Sequence, residues 1–215
     1  MATPDRSWHW LHEAARMLPV TLESYLDIPE ELSRRIEVID GMVVTCASPT
    51  ENHQGLAQAF IAALQEAAKK HDTRRGSCHR VRGQLDMLLT EVPFSYRRPD
   101  ALVYRWLPED RRGKWRNKPY AMDVVIAVEI VSPNTRTVDR STKRIEYAEA
   151  GIPHYWIVEM AQNDGPAFAV ERLRLQAERR YGSEGTTYRG KDLLAVDVAD
   201  PFDIKISWDQ LDAWM

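Results

Sequence analysis

The chain has 215 residues, enough for one well-cored domain, with the apolar (44%) and charged (28%) fractions of an ordinary globular protein. A net charge of −3 and an isoelectric point near 6.1 exclude a global positive field that would draw nucleic acid from a distance, while leaving room for a local basic surface. Cys46 and Cys78 form neither a disulfide framework nor a zinc-type pair, which fits a reducing compartment. No apolar run reaches the ~20 residues of a membrane helix, and no signal-peptide core follows Met1. The expectation is a soluble cytoplasmic protein with no membrane partner.

Residues 1–20 are polar and Trp-rich and read as an N-terminal extension with a short helix over Leu11–Leu18; residues 21–215 read as the domain. Thr21 caps a helix through Leu26 that ends near Pro29. Arg35–Ile39 and Met42–Val44 flank Asp40-Gly41, a dipeptide suited to the positive φ angles of a tight hairpin. Leu56, Phe60, Ile61, Leu64 and Ala68 recur at helical spacing between Glu51 and His71. Arg80–Leu89 alternates like a strand, Arg97–Tyr104 gives another, and a basic, Trp-containing loop runs from Arg105 to Lys118. The β-branched run from Val124 reads as a strand covered on both faces, stopped by Ser132-Pro133. Thr137–Ala150 reads as a helix, with Gly151 at its C-terminal cap and Pro153 beyond. His154–Val158 is a further strand, Ala167–Leu175 and Thr186–Arg189 suggest a hairpin around Gly182–Gly185, and Asp203–Ile206 with a short helix from Ser207 closes the chain. The order strand, strand, strand, helix, strand predicts a mixed α/β fold in which a helix crosses over the sheet.

Glu129 interrupts the apolar run, and a buried carboxylate without a partner costs several kcal/mol. It therefore needs a cation, a metal ion or a set of hydrogen-bond donors. A second acid in a similar setting is Asp100 within Arg98–Tyr104, and Asp139 and Lys143 stand one turn apart on the helix downstream of Glu129. Two strand acids and a lysine suggest a metal site that handles phosphate. Hard divalent cations such as Mg²⁺ take oxygen ligands, here the carboxylates of Asp100 and Glu129 with the Ile130 carbonyl as a third, and such an ion acidifies a bound water. Lys143 then stabilises negative charge at the scissile phosphate. The competing readings are an Asp100 held by Arg97 or Arg98, a Glu129 in a buried salt bridge, and an exposed Asp139–Lys143 pair. Glu37 and Asp86 alternate into possible auxiliary positions, and Glu37 is equally compatible with a solvated pair to Arg35. His53, in the first turn of a helix, reads as a neutral hydrogen-bonding group near the site or as a structural histidine. Arg136, Arg140 and Arg144 form a stripe that, with Arg111, Arg112, Lys114 and Arg116, suits a phosphate backbone, and Trp106 and Trp115 suit base stacking; a solvated charged face is the alternative. Tyr147, Tyr155 and Trp156 read as packing.

Pro99-Asp100, Glu129 within Val128–Pro133, and Asp139-Arg140 with Lys143 resemble the PD-(D/E)XK nuclease superfamily, and within it the bacterial restriction-endonuclease-like family labelled Uma-two. The similarity extends through Glu37–Gly41, Ser48-Pro49 with His53, Asp86, Lys143–Tyr147, Gly151–Pro153 and Tyr155-Trp156, from about Leu22 to the C-terminus. It implies a restriction-endonuclease-like fold, Mg²⁺- or Mn²⁺-dependent cleavage of DNA phosphodiesters by an activated water, metal acids at Asp100 and Glu129, and a homodimer. One departure stands out. The superfamily's usual lysine lies two residues after the second acid, where this chain has Val131, so the resemblance makes Lys143 on the following helix the candidate. A catalytically inactive module that binds nucleic acid or protein, and a metal phosphohydrolase acting on a small substrate, are the other functions the residues allow.

Overall fold

The computed structural model describes residues 19–46, 48–106, 115, 118–131, 141–162 and 164–215. The expected Leu11–Leu18 helix, most of the Arg105–Lys118 loop and the first four residues of the expected Thr137–Ala150 helix lie outside them. The chain divides into two compact units, Met1–Ser48 with Leu88–Arg97, and Pro49–Met87 with Arg98–Met215.

The first unit carries α1 (Leu22–Leu26), α2 (Glu30–Ser33), β1 (Ile36–Ile39), β2 (Met42–Thr45), β4 (Met87–Thr90) and β5 (Ser95–Arg97), with the strands in the order β2-β1-β5-β4. Thr21 caps α1 as expected, accepting from the Ser24 N–H at 3.2 Å while Ser24 returns a bond to the Thr21 backbone. Asp40 and Gly41 take φ of 51° and 75° and close the β1–β2 hairpin.

The second unit is built on α3 (Glu51–Arg75), β3 (His79–Arg82) and β6 (Ala101–Arg105), followed by β7 (Val124–Val131), α4 (Lys143–Glu149) and β8 (His154–Met160). β9 (Ala167–Leu175), β10 (Tyr181–Tyr188), β11 (Leu194–Val198), β12 (Ile204–Ser207) and α5 (Trp208–Asp212) complete it. Its main sheet runs β10-β9-β8-β7-β6-β3, and β11 pairs with β12. β7 and β8 are parallel and the other pairs of the main sheet antiparallel, so α4 lies in the connection a parallel pair requires. Thr50 caps α3 and Gly76 ends it at φ 68°. Leu56, Phe60 and Leu64 of α3 bury against Ile126, Val128 and Ile130 of β7, all at 2% exposure or less. With its period of two, β7 turns Glu129 to the opposite face. Among the described residues no helix is long and apolar enough to cross a membrane.

Three expectations change. Arg80–Leu89 is two strands, β3 and β4, placed in different sheets and divided at Gly83–Asp86, where Gln84 takes φ 50°. Arg97–Tyr104 is likewise split into β5 and β6 by Arg98-Pro99-Asp100, since Pro99 has no N–H to give a ladder. The β9–β10 turn lies at Gln176–Arg180, with Arg179 at φ 52°, and Gly182–Gly185 falls inside β10, where the register shifts between Ser183 and Gly185.

His154 opens β8 at 3% exposure, with Glu184 at 3.8 Å, Asp200 at 3.7 Å, and Arg174 bonded to both carboxylates. Burial pushes its imidazole below the ordinary value; Asp200 and Glu184 pull the other way, and the Arg174 charge adds to the depression. A depressed folded pKa contributes stability that is present above the unfolded value near 6.5 and lost as pH falls from there through the folded value. Measured by denaturant unfolding, the His154 contribution to stability therefore declines as pH falls below neutral, and its removal in His154→Gln changes the slope of stability against pH in that range. An unchanged slope in the variant would assign the pH dependence to other groups.

Candidate active site

β6 and β7 pair with Ala101 opposite Val128, so one step further along the same register Asp100 stands opposite Glu129. Opposed residues of an antiparallel pair project to one face. β6 begins only at Ala101, yet the backbone groups of β7 still require partners. The Asp100 carboxylate supplies one. Its Oδ2 accepts the Ile130 N–H at 2.7 Å, continuing the ladder with a side chain.

His53 completes this corner from the first turn of α3, where its own N–H donates to the capping Thr50 hydroxyl. Its Nε2 donates to the Ile130 carbonyl at 3.1 Å and stands 3.4 Å from Asp100 Oδ2. Both neighbours are acceptors, so Nε2 carries the proton; buried Nδ1 has no hydrogen-bond partner. Burial lowers the imidazole pKa. The hydrogen bond and charge of Asp100, the Ile130 carbonyl and the charge of Glu129 outweigh it, and the value stands above the ordinary one. The helix N-terminus reasoning for a neutral ring accounted for the local dipole but not for a carboxylate 47 residues away in the chain (Asp100 minus His53).

Glu129 is 3% exposed. Lys143 Nζ lies 2.8 Å from its Oε2, and the Tyr147 hydroxyl donates to Oε1 at 2.6 Å. Lys143 and Tyr147 are four residues apart on α4 and share a face, so one short helix delivers both groups to the same carboxylate. The Tyr147 ring meets Tyr155 of β8 edge-on at 5.2 Å, which fixes the phenol's approach. Tyr147, read from sequence as packing, thus also bonds a candidate site acid. Its position one helical turn after Lys143 was the available signal.

The other candidates are placed elsewhere or otherwise engaged. Glu37 belongs to the first unit and forms a buried ion pair with Arg97 at 2.7 Å, rather than a solvated one with Arg35. Asp86 bonds Arg98 and Lys118, at 2.5 and 2.7 Å, so Arg98 serves Asp86. Arg144 donates to the Tyr181 carbonyl at 2.9 Å. Trp115 is buried under the Lys118 ammonium, which removes it as a base-stacking surface, and the Arg80 guanidinium covers Trp106 at 3.2 Å. Asp139, Arg136 and Arg140 lie outside the described residues, as do Arg111, Arg112, Lys114 and Arg116.

A family model described as "Putative restriction endonuclease", Uma2, matches residues 22–203. The chain belongs to the Uma2 family. Among solved structures, it resembles the crystal structure of a protein from Anabaena variabilis titled a "putative nuclease belonging to DUF820". That likeness has a TM-score of 0.63 at 18% identity over 91% of this chain and 99% of the other, and it establishes a shared fold. No curated protein matches the chain. The mixed α/β, restriction-endonuclease-like fold expected from the sequence is the one observed, and the Uma2 match ends shortly before β12.

The site's links to the fold are testable by stability. Tyr147→Phe removes a hydrogen bond to a charged acceptor and is expected to cost about 1.5–3 kcal/mol. Lys143→Ala removes the buried counter-charge and is expected to cost more, about 3–5 kcal/mol. Urea unfolding at neutral pH measures both, and equal losses below about 0.5 kcal/mol, the scale of an inert surface change, would contradict the pairing. Gly83 gives a third test, because an added Cβ would lie 2.7 Å from the Asp100 carbonyl and 2.4 Å from Ile61 Cδ1. Gly83→Ala is expected to lower stability by about 1–3 kcal/mol through displacement of the Asp100 backbone; a neutral effect would show that this corner yields freely.

Proposed function

We propose that this Uma2 protein is a divalent-metal-dependent DNA endonuclease, with Asp100, Glu129 and Lys143 as its catalytic residues. The supporting observation is the convergence of two carboxylates from adjoining strands with an ammonium 2.8 Å from one of them. The donor set fits a hard cation: two carboxylates and the Ile130 carbonyl are all oxygen ligands. Each carboxylate or carbonyl oxygen has two lone pairs, so the bonds from Tyr147, Lys143 and His53 leave capacity for an ion. When bound there, Mg²⁺ or Mn²⁺ neutralises charge on a phosphoryl group and acidifies a water.

The chain's own groups divide the remaining work. Asp100 and Glu129 hold the ion-binding oxygens in place, Asp100 through the Ile130 amide and His53, Glu129 through Tyr147. Lys143 offers a compact ammonium to the phosphate oxygens, where negative charge grows as water oxygen bonds to phosphorus and the P–O bond to the leaving alkoxide breaks. In this reading a homodimer addresses two strands, and Arg144, with Arg136 and Arg140, contacts the phosphate backbone. A second reading, a catalytically inactive nuclease-fold module, draws support from Glu129, both of whose oxygens already accept bonds within the protein.

Supercoiled plasmid incubated with the purified protein and Mg²⁺ or Mn²⁺ separates them. The endonuclease reading expects nicking or linearisation that Asp100→Asn and Glu129→Gln each reduce on the order of a hundredfold or more, with folding retained. Cleavage surviving both changes rejects these residues. A folded wild-type protein that neither cleaves nor takes up either cation establishes the inactive module.

A further inference from the structure

The junction of α3 with β3 holds a second group of ligating side chains. Asp72, near the end of α3, accepts the Ser77 hydroxyl at 2.7 Å and the His79 ring Nδ1–H at 2.6 Å on Oδ1, and the His79 backbone N–H at 2.7 Å on Oδ2. An ion taking the place of the proton in that bond would meet Asp72 Oδ1 and His79 Nδ1 together, with the imidazole proton then on Nε2. His71 lies beside it, with ring centroids 5.6 Å apart, and neither of its nitrogens makes a hydrogen bond among the described residues. Phe202 packs against both imidazoles, at 5.2 Å from His71 and 5.6 Å from His79.

One ligand atom from each of His71, Asp72 and His79 lies within 4.8 Å of the others. Tetrahedral ligands at ordinary Zn–N and Zn–O lengths stand about 3.3 Å apart, so Asp72 Oδ1 and His79 Nδ1, now 2.6 Å apart, must part slightly while His71 closes by at most about 1.5 Å. Rotation of His71, which no hydrogen bond restrains, supplies that movement. Asp72 Oδ2 keeps its bond from the His79 backbone N–H, which holds the carboxylate in place while Oδ1 faces the ion. All three residues are only partly buried, which leaves water access to a fourth position.

We propose that His71, Asp72 and His79 form a site for a borderline transition-metal ion, Zn²⁺ in the first instance. Two imidazoles and one carboxylate select such an ion over Mg²⁺ or Ca²⁺, which prefer all-oxygen surroundings. The site is separate from Asp100 and Glu129 and stands or falls independently of the nuclease reading.

Calorimetric titration of the metal-free full-length protein with Zn²⁺, paralleled by visible absorption on adding Co²⁺, provides the test. Wild-type protein is expected to take up Zn²⁺, with affinity falling on the order of tenfold or more in both His71→Ala and His79→Gln. Thermal unfolding of the metal-free variants identifies any loss of fold; because His71 makes no hydrogen bond, His71→Ala is the variant expected to keep the wild-type Tm and to decide the matter. Zn²⁺ should also raise the Tm of the wild type and not of His71→Ala. Absence of Zn²⁺ uptake by the wild type overturns the proposal. So does uptake unchanged in His71→Ala, since the metal then sits at the acidic cluster or on the exposed thiols of Cys46 and Cys78.

Discussion

A carboxylate in the middle of the central strand is the constraint around which the second unit is arranged. β7 is buried along its whole length, and Glu129 is its one ionisable side chain. Taking that charge out of water requires compensation close at hand. α4 provides it twice over, with an ammonium and a phenol from adjacent turns. The parallel pairing of β7 with β8 brings a helix into the connection, and the same helix carries the two groups the strand needs. Replacing the acid by an apolar residue would ease folding, so its presence in so costly a position is a reason to look for chemistry there.

The second organising feature is the late start of β6. Beginning the strand at Ala101 leaves the next amide of β7 to a side chain, and the result is an aspartate whose position is set by the backbone it completes. His53 then bonds the carbonyl of the same residue, Ile130. Both backbone polar groups of Ile130 are thereby tied to candidate site side chains. The irregularity that ends regular pairing also builds the site. Positions precise enough for ion binding arise here from ordinary hydrogen-bond satisfaction.

Local chemistry made much of this legible. Asp40-Gly41 announced its hairpin because two positive φ angles are a property of the dipeptide itself, and the apolar spacing of α3 announced a helix that runs four residues beyond the expected His71. The run from Val124 marked a central strand, and the cost of burying Glu129 marked a site. Division of Arg80–Leu89 between two sheets was not legible, since both halves keep the alternation of a strand and only the tertiary pairing separates them. Gly182 and Gly185 suggested a turn, but Gly182 packs closely on Gln176 and Gly185 follows a bulge, both inside a strand. The real turn at Gln176–Arg180 has no Gly, Pro or Asn to signal it. Arg97 as the partner of Glu37 was equally hidden, because residues 60 apart meet only through the pairing of β1 with β5.

The interleaving of the two units limits how the chain can be cut. β1 and β2 precede α3 in sequence, whereas β4 and β5 follow it, although all four form one sheet. A fragment starting at Pro49 would retain every residue of the acidic cluster, yet it would also keep β4 and β5 stripped of β1. A lone two-stranded piece is marginal in water, and the bared edge of β5 is a template for pairing with another molecule. Trimming toward a minimal catalytic core would therefore trade solubility for compactness, and the amino-terminal hairpin serves as a cover for that edge as well as a part of its own unit.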